Sequence, residues 1–155
     1  MVATDNKQRN VLVLLSTGKL GSGIVDAYLA AAEDDDYQIF GCTRDVNSPS
    51  LLSKGVTPVH FTYGDKQSIQ NAIKISKPDI LVVITACSVA TSLQQEYDHG
   101  KIILDAAKEE KVPHVILTSS IGPVQGVIYP KGAWHLHSKR SLEEYIKQLD
   151  LPSYW

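Results

Sequence analysis

The stretch Val11-Leu12-Val13-Leu14-Leu15-Ser16-Thr17-Gly18-Lys19-Leu20-Gly21-Ser22-Gly23 decides the fold. It passes from a continuous apolar run, through a turn at Ser16 to Lys19, into residues whose apolar members (Leu20, Ile24, Ala27, Tyr28, Ala31) share one face of a helix. A strand, a glycine turn and a helix in that order let the backbone approach a pyrophosphate, which the unpaired N–H groups of the helix N-terminus stabilise. The same pattern also suits a tight strand-to-helix turn in an α/β protein with no such ligand.

Outward from this stretch, short runs rich in Val, Ile and Leu alternate with amphipathic segments, as in a parallel sheet covered on both faces. The first strand is expected at Asn10 to Leu15, the second at Tyr37 to Thr43 after the solvated acidic run Glu33 to Asp36, and the third at Val56 to Thr62 after a short helix within Asn47 to Lys54. Gly64-Asp65 breaks the third strand, and Ile69, Ala72 and Ile73 mark a helix. Pro78-Asp79 introduces the fourth strand, Ile80 to Thr85. A helix from about Ser92 to Lys111 carries Ile102, Ile103, Ala106 and Ala107, and Pro113 precedes strand five, His114 to Ser119. After a loop holding Gly122, Pro123, Gly126, Pro130 and Gly132, the residues Leu142, Tyr145, Ile146 and Leu149 form the stripe of a last helix. Leu151-Pro152 ends it, and Ser153 to Trp155 resembles the opening of a sixth strand cut short.

Such alternation gives right-handed crossovers and an open, doubly wound α/β sheet of five strands in the order 3-2-1-4-5. Ligands belong where the winding reverses, at the carboxyl ends of strands one and four. That singles out the loops Ser16 to Gly23, Thr43 to Asp45, Gly64-Asp65, Thr85 to Ser88 and Ser119 to Gly122.

Composition narrows the class further. The 155 residues are 43% hydrophobic and 21% charged, with 15 basic against 17 acidic side chains and a net charge of -2, which is the make-up of one globular domain. Neither a Lys/Arg cluster nor an acidic tail is present, which argues against a nucleic-acid surface or a polybasic membrane tether. The apolar runs fall far short of the roughly 20 residues that span a bilayer. Met1 to Asn10 is polar and lacks the apolar region of a secretory signal, so a cytoplasmic location is expected. Cys42 and Cys87 lie in apolar runs without metal-ligand spacing and are expected to be reduced, buried thiols, with no metal site.

The segment Val11 to Gly21 resembles the nucleotide loop of the NmrA-like proteins, atypical members of the short-chain dehydrogenase/reductase superfamily. The resemblance continues through Gly41-Cys42-Thr43-Arg44-Asp45, Gly64-Asp65, Leu104-Asp105-Ala106-Ala107-Lys108, His114 to Ser120, and Ser138-Lys139 with Leu142-Glu143-Glu144-Tyr145. It covers nearly the whole chain and implies a Rossmann fold that binds NADP(H) or NAD(H). In the family the loop usually reads Gly-x-x-Gly-x-x-Gly, and Leu15 stands at the first glycine. A side chain there either closes part of the pyrophosphate cleft or reshapes the turn, and so weakens or abolishes binding.

The resemblance places Ser16, Thr17, Gly18, Lys19, Leu20 and Gly21 around the pyrophosphate, Arg44 at the adenosine ribose, Asp65 at the adenine, and Thr85, Ala86 and Lys139 along the rest of the cofactor. An arginine at Arg44 suits the 2'-phosphate of NADP, although a surface pairing with Asp45 fits the sequence too. Asp65 fits a helix cap before Ser68 as well. Reductases of the superfamily carry Tyr-x-x-x-Lys on the helix after strand five, the lysine holding the nicotinamide ribose and lowering the tyrosine pKa. The matching pair here is His135 and Lys139, with Ser119 or Ser120 at the end of strand five as the third group. A true Tyr-x-x-x-Lys at Tyr97 to Lys101 falls on the preceding helix and is read as a solvated turn. His60, His114 and His137 are read as structural or surface residues.

These features lead to an NADP(H)-binding protein of the NmrA-like kind, an oxidoreductase or a degenerate relative of one acting on a small carbonyl compound. The alternatives are a non-catalytic cofactor sensor acting through a protein partner, or an inactive truncated product. Residues 1–155 are expected to form one nucleotide-binding domain without the usual C-terminal substrate-binding part, and an uncovered edge beyond Trp155 predicts self-association.

Overall fold

The computed structural model describes residues 8–32, 36–86, 92–120 and 134–154. The glycine- and proline-bearing loop expected after strand five, most of the acidic run at 33–36, Cys87, Ser88 and Trp155 lie outside them. Along the chain run β1 (Arg9–Val13), α1 (Lys19–Ala31), β2 (Tyr37–Thr43), α2 (Pro49–Leu52), β3 (Thr57–His60), α3 (Lys66–Ser76), β4 (Ile80–Val83), α4 (Leu93–Glu109), β5 (His114–Leu117), α5 (Trp134–Gln148) and β6 (Ser153–Tyr154). Every strand pair is parallel, and the sheet order is β3-β2-β1-β4-β5-β6.

The expected five-strand order is extended by one strand. The last helix ends at Gln148, Asp150 turns the chain with a φ of 51°, and the Pro152 carbonyl accepts the Val115 N–H at 2.9 Å, which sets Ser153 and Tyr154 beside Val115 and Ile116. Strands one, three, four and five stop short of their expected carboxyl ends. One last inter-strand hydrogen bond follows in three of them, from the Leu14, Phe61 and Thr118 N–H groups to the carbonyls of Val82, Thr43 and Val83, before the chain turns.

β1 lies at the centre, and Val11, Leu12, Val13 and Leu14 have no exposed surface. Their side chains alternate between two cores, as strand geometry requires. Val11 and Val13 pack with Val25 of α1, Ile39, Leu51 of α2 and Val82 on one face. Leu12 and Leu14 pack with Ile69 and Ile73 of α3, Ile103 and Leu104 of α4, and Leu142 and Ile146 of α5 on the other. A continuous apolar run flanked by helical stripes therefore yields a sheet buried on both sides. Cys42 is fully enclosed in the second core, where burial pushes its thiol pKa up and keeps it protonated and unreactive.

The seam between α4 and α5 is tight. A Cβ at Gly100 would stand 2.4 Å from Leu142 Cδ1 and 2.8 Å from Cδ2, and Leu142 has no exposed surface into which to move. Tyr97 meets the ring of Tyr145 edge-on at 6.2 Å, and Lys101 lies 4.8 Å from the centroid of that ring and 2.8 Å from Asp105. The Tyr145 hydroxyl donates to Asp105. The motif at Tyr97 to Lys101 is thus part of this helix contact, where it was expected to be a solvated turn.

Gly100→Ala is expected to lower stability by about 1–3 kcal/mol, read as a drop in the urea midpoint at unchanged slope. An unchanged midpoint would show that the seam has room.

Candidate functional site

The site is built at the carboxyl ends of β1, β2 and β4, and its geometry follows from the turn after β1. Leu15 takes a positive φ of 48°, the left-handed conformation that glycine adopts without strain. A leucine there costs about 1–2 kcal/mol. Its carbonyl accepts the Gly18 N–H at 2.9 Å, and a Cβ at Gly21 would stand only 2.2 Å from that same oxygen. Glycine at 21 therefore lets α1 sit directly on the turn, and the turn keeps its path without a glycine at 15. Ser16 faces inward, its hydroxyl donating to the Cys42 carbonyl at 2.9 Å, and ties the turn to β2.

α1 begins with no side-chain cap at Gly18 and no acid in its first turn. Its first N–H groups thus lack intrahelical partners and remain available to an anion. By contrast, α3 is capped by Asp65, which accepts from Ser68 N at 3.2 Å, and α4 by Ser92, which accepts from Gln95 N at 3.1 Å.

In front of α1 lies a cleft of about 370 Å3. It is lined by Leu15, Thr17 and Gly18 of the first turn, by Cys42, Thr43 and Arg44 at the end of β2, by Phe61, Thr62 and Tyr63 after β3, and by Ala86 after β4. An adjoining hollow gathers Thr17, Thr43, Arg44, Asp45 and Ser48, a guanidinium among three hydroxyl-bearing residues and one carboxylate. Arg44 is exposed, and Asp45 uses its carboxylate to accept the Asn47 N–H at 2.9 Å. Among the described residues no ion pair joins Arg44 to Asp45.

Beyond Ala86 the cleft borders a polar cluster. Thr85 is buried at the end of β4 and its hydroxyl accepts from Lys139 Nζ at 2.6 Å. Lys139 also stands 3.4 Å from Glu96 Oε1, and Ser138 donates its hydroxyl to Glu96 Oε2. His135, half-buried, lies one helical turn before Lys139 on α5. The Ser119 hydroxyl donates to Glu143, which Arg140 pairs at 2.9 Å, while the enclosed Ser120 hydroxyl has no hydrogen-bond partner among the described residues.

The structure therefore gathers Thr17, Gly18, Arg44 and Ala86 around one cleft and joins Thr85 to Lys139 beside it. It directs Ser16 into the protein, spends the Asp65 side chain on capping α3 and leaves Lys19 and Leu20 exposed on the first turn of α1. His60, His114 and His137 are exposed.

Sequence reasoning missed one lining residue of the cleft, Tyr63, and one buried acid beside it, Glu96. Tyr63 lines the cleft, its hydroxyl accepting the Ala86 N–H at 3.0 Å and its ring meeting His99 edge-on at 4.9 Å. Glu96 has no exposed surface. Its signal was an acid on the stripe Glu96, Gly100, Ile103 and Ala107, all of which are buried.

Among the described residues no cluster suits a metal ion, and no helix is long and apolar enough to cross a membrane. Sheet order, glycine turn and switch-point cleft together define an open, doubly wound α/β fold of the dinucleotide-binding class. The family model of the NmrA-like family matches residues 7–155, and the chain belongs to that family.

No curated protein sequence matches the chain. Among solved structures, triphenylmethane reductase from a Citrobacter species, complexed with NADP(H), superposes with a TM-score of 0.76 at 21% identity over 93% of this chain and 47% of that one. A nucleoside-diphosphate-sugar epimerase from Staphylococcus aureus gives 0.76 at 17% identity over 93% and 48%. The NADPH-dependent quinone oxidoreductase of Escherichia coli, complexed with NADPH, gives 0.72 at 18% identity over 92% and 46%. The chain spans about half the length of these proteins.

Replacing Leu15 by Gly removes the left-handed strain and widens the cleft, at the cost of a half-buried side chain. Stability is expected to change by less than about 1 kcal/mol while dinucleotide affinity rises several-fold in calorimetry. An unchanged affinity would show that Leu15 does not restrict the cleft.

Proposed function

We propose that this chain binds NADP(H) in the cleft before α1 and serves an oxidoreductase of the NmrA-like family. The observation that carries this is the uncapped N-terminus of α1 facing a cleft that ends on Arg44, a guanidinium not paired with Asp45. A pyrophosphate suits the free N–H groups, and a 2'-phosphate suits Arg44 with the hydroxyls of Thr17, Thr43 and Ser48. Such a doubly charged group separates NADP from NAD, so the preference proposed is for NADP(H). Phe61 and Tyr63 supply apolar surface for the adenine ring. Residues 1–155 are proposed to act as one dinucleotide-binding unit.

For the reaction, Lys139 takes the nicotinamide-ribose hydroxyls, with its ammonium already anchored on Thr85. When bound, the reduced nicotinamide supplies a hydride to a small carbonyl or quinone. His135 holds the proton that the reduced oxygen needs, at the position where related reductases carry a tyrosine. The Ser120 hydroxyl, without a hydrogen-bond partner among the described residues, is the one to offer the substrate oxygen, whereas the Ser119 hydroxyl is held by Glu143. The histidine in place of tyrosine also favours a second reading, a cofactor-binding regulator without turnover that acts through a protein partner.

Arg44→Ala is expected to weaken NADPH by about ten- to hundredfold while leaving NADH nearly unchanged, as measured by calorimetry. Equal losses for the two would remove the phosphate role. If the chain is an enzyme, NADPH consumption with a quinone or carbonyl panel should fall about a hundredfold or more in His135→Phe. Saturable binding of NADPH without consumption by the native protein would instead establish the regulator.

A further inference from the structure

The acid at position 96 has no role in the family resemblance or in the function proposed above. It sits on the buried stripe of α4, where a leucine would bury without penalty, and a carboxylate there must be compensated. Two groups compensate it, and both come from α5. The Ser138 hydroxyl takes Oε2, and the Lys139 ammonium stands 3.4 Å from Oε1, which has no hydrogen bond of its own. Lys139 in turn donates to Thr85 at 2.6 Å and keeps only 15% of its side chain exposed.

We infer that Glu96 is a positioning residue, holding the Lys139 ammonium at the end of β4 so that the lysine meets the nicotinamide ribose already in place. This rests on the proposal that the cleft binds NADP(H). An ammonium carries three donors on a flexible stem. Thr85 from the sheet and Glu96 from α4 engage it on two sides, which leaves donor capacity for a ribose hydroxyl. Without the carboxylate, the side chain must be immobilised when the ligand arrives, and binding loses that entropy. Ser138 sets the carboxylate itself, so the line from α5 to α4 and back to α5 forms a closed support for the lysine.

The test compares NADPH with adenosine 2',5'-bisphosphate, which has the adenosine end and no nicotinamide ribose, by calorimetry on the full chain. Glu96→Gln is expected to weaken NADPH by about three- to tenfold and to leave the bisphosphate unchanged. In a Lys139→Met background the same change should cost nothing further, since the lysine it serves is gone. Should Glu96→Gln fail to fold, Ser138→Ala removes only the hydroxyl that orients the carboxylate and should show the same one-sided loss at smaller size. Equal losses on both ligands, or no loss on NADPH, would overturn the positioning role while leaving the cofactor proposal intact. A native chain that binds neither ligand would overturn both.

Discussion

The site depends on one close approach, between the carbonyl of Leu15 and the first turn of α1. That oxygen accepts the Gly18 N–H, and the missing side chain of Gly21 is what allows the helix to rest against it. With α1 seated there, its unpaired N–H groups face the cleft between the ends of β1, β2 and β4. Ser16 fixes the turn from below by its bond to the Cys42 carbonyl, and a Cβ at Gly41 would meet that serine at 2.8 Å, so β2 is drawn in as well. Leucine at 15 holds the left-handed backbone because packing on both sides compensates the strain: it contacts both cores of the sheet.

The two ends of the cleft differ in how they are prepared for a ligand. At the β2 end Arg44 is exposed and the carboxylate of its neighbour Asp45 is occupied by its own turn, which leaves an exposed cation in a hollow that Thr17, Thr43 and Ser48 also line. At the β4 end Lys139 is largely buried and held by Thr85 and Glu96. A surface cation contributes chiefly by attracting and discriminating an anionic group. A buried, anchored one contributes geometry, because its orientation is fixed before any ligand arrives. Tyr63 joins the wall between them by accepting from the Ala86 N–H, next to Thr85, to which Lys139 donates.

Much of the fold was legible because its determinants are local. Val11 to Leu14 reads as a strand buried on both faces, and the helices announce themselves by stripes such as Leu142, Tyr145, Ile146 and Leu149. The sixth strand was half legible: Pro152 marked the end of the helix, but two residues carry no periodicity, and only pairing with Val115 and Ile116 makes them a strand. At the candidate site, the glycine turn and Arg44 were legible from their places directly after strand ends, and Lys139 from its resemblance to the lysine of the family's Tyr-x-x-x-Lys. Tyr63 and Glu96 were not, since each earns its place through partners 23 and 42 or more residues away. The part that Tyr97 and Lys101 play in the helix seam was not legible for the same reason, since the ring that meets both, Tyr145, lies on α5, far along the chain.

The central claim is that the turn at Leu15 leaves a working dinucleotide cleft even though its first glycine is gone. Isothermal titration of the unmodified chain with NADPH tests it most directly. The account predicts one saturable site per chain. Heats no larger than dilution up to millimolar NADPH would contradict it.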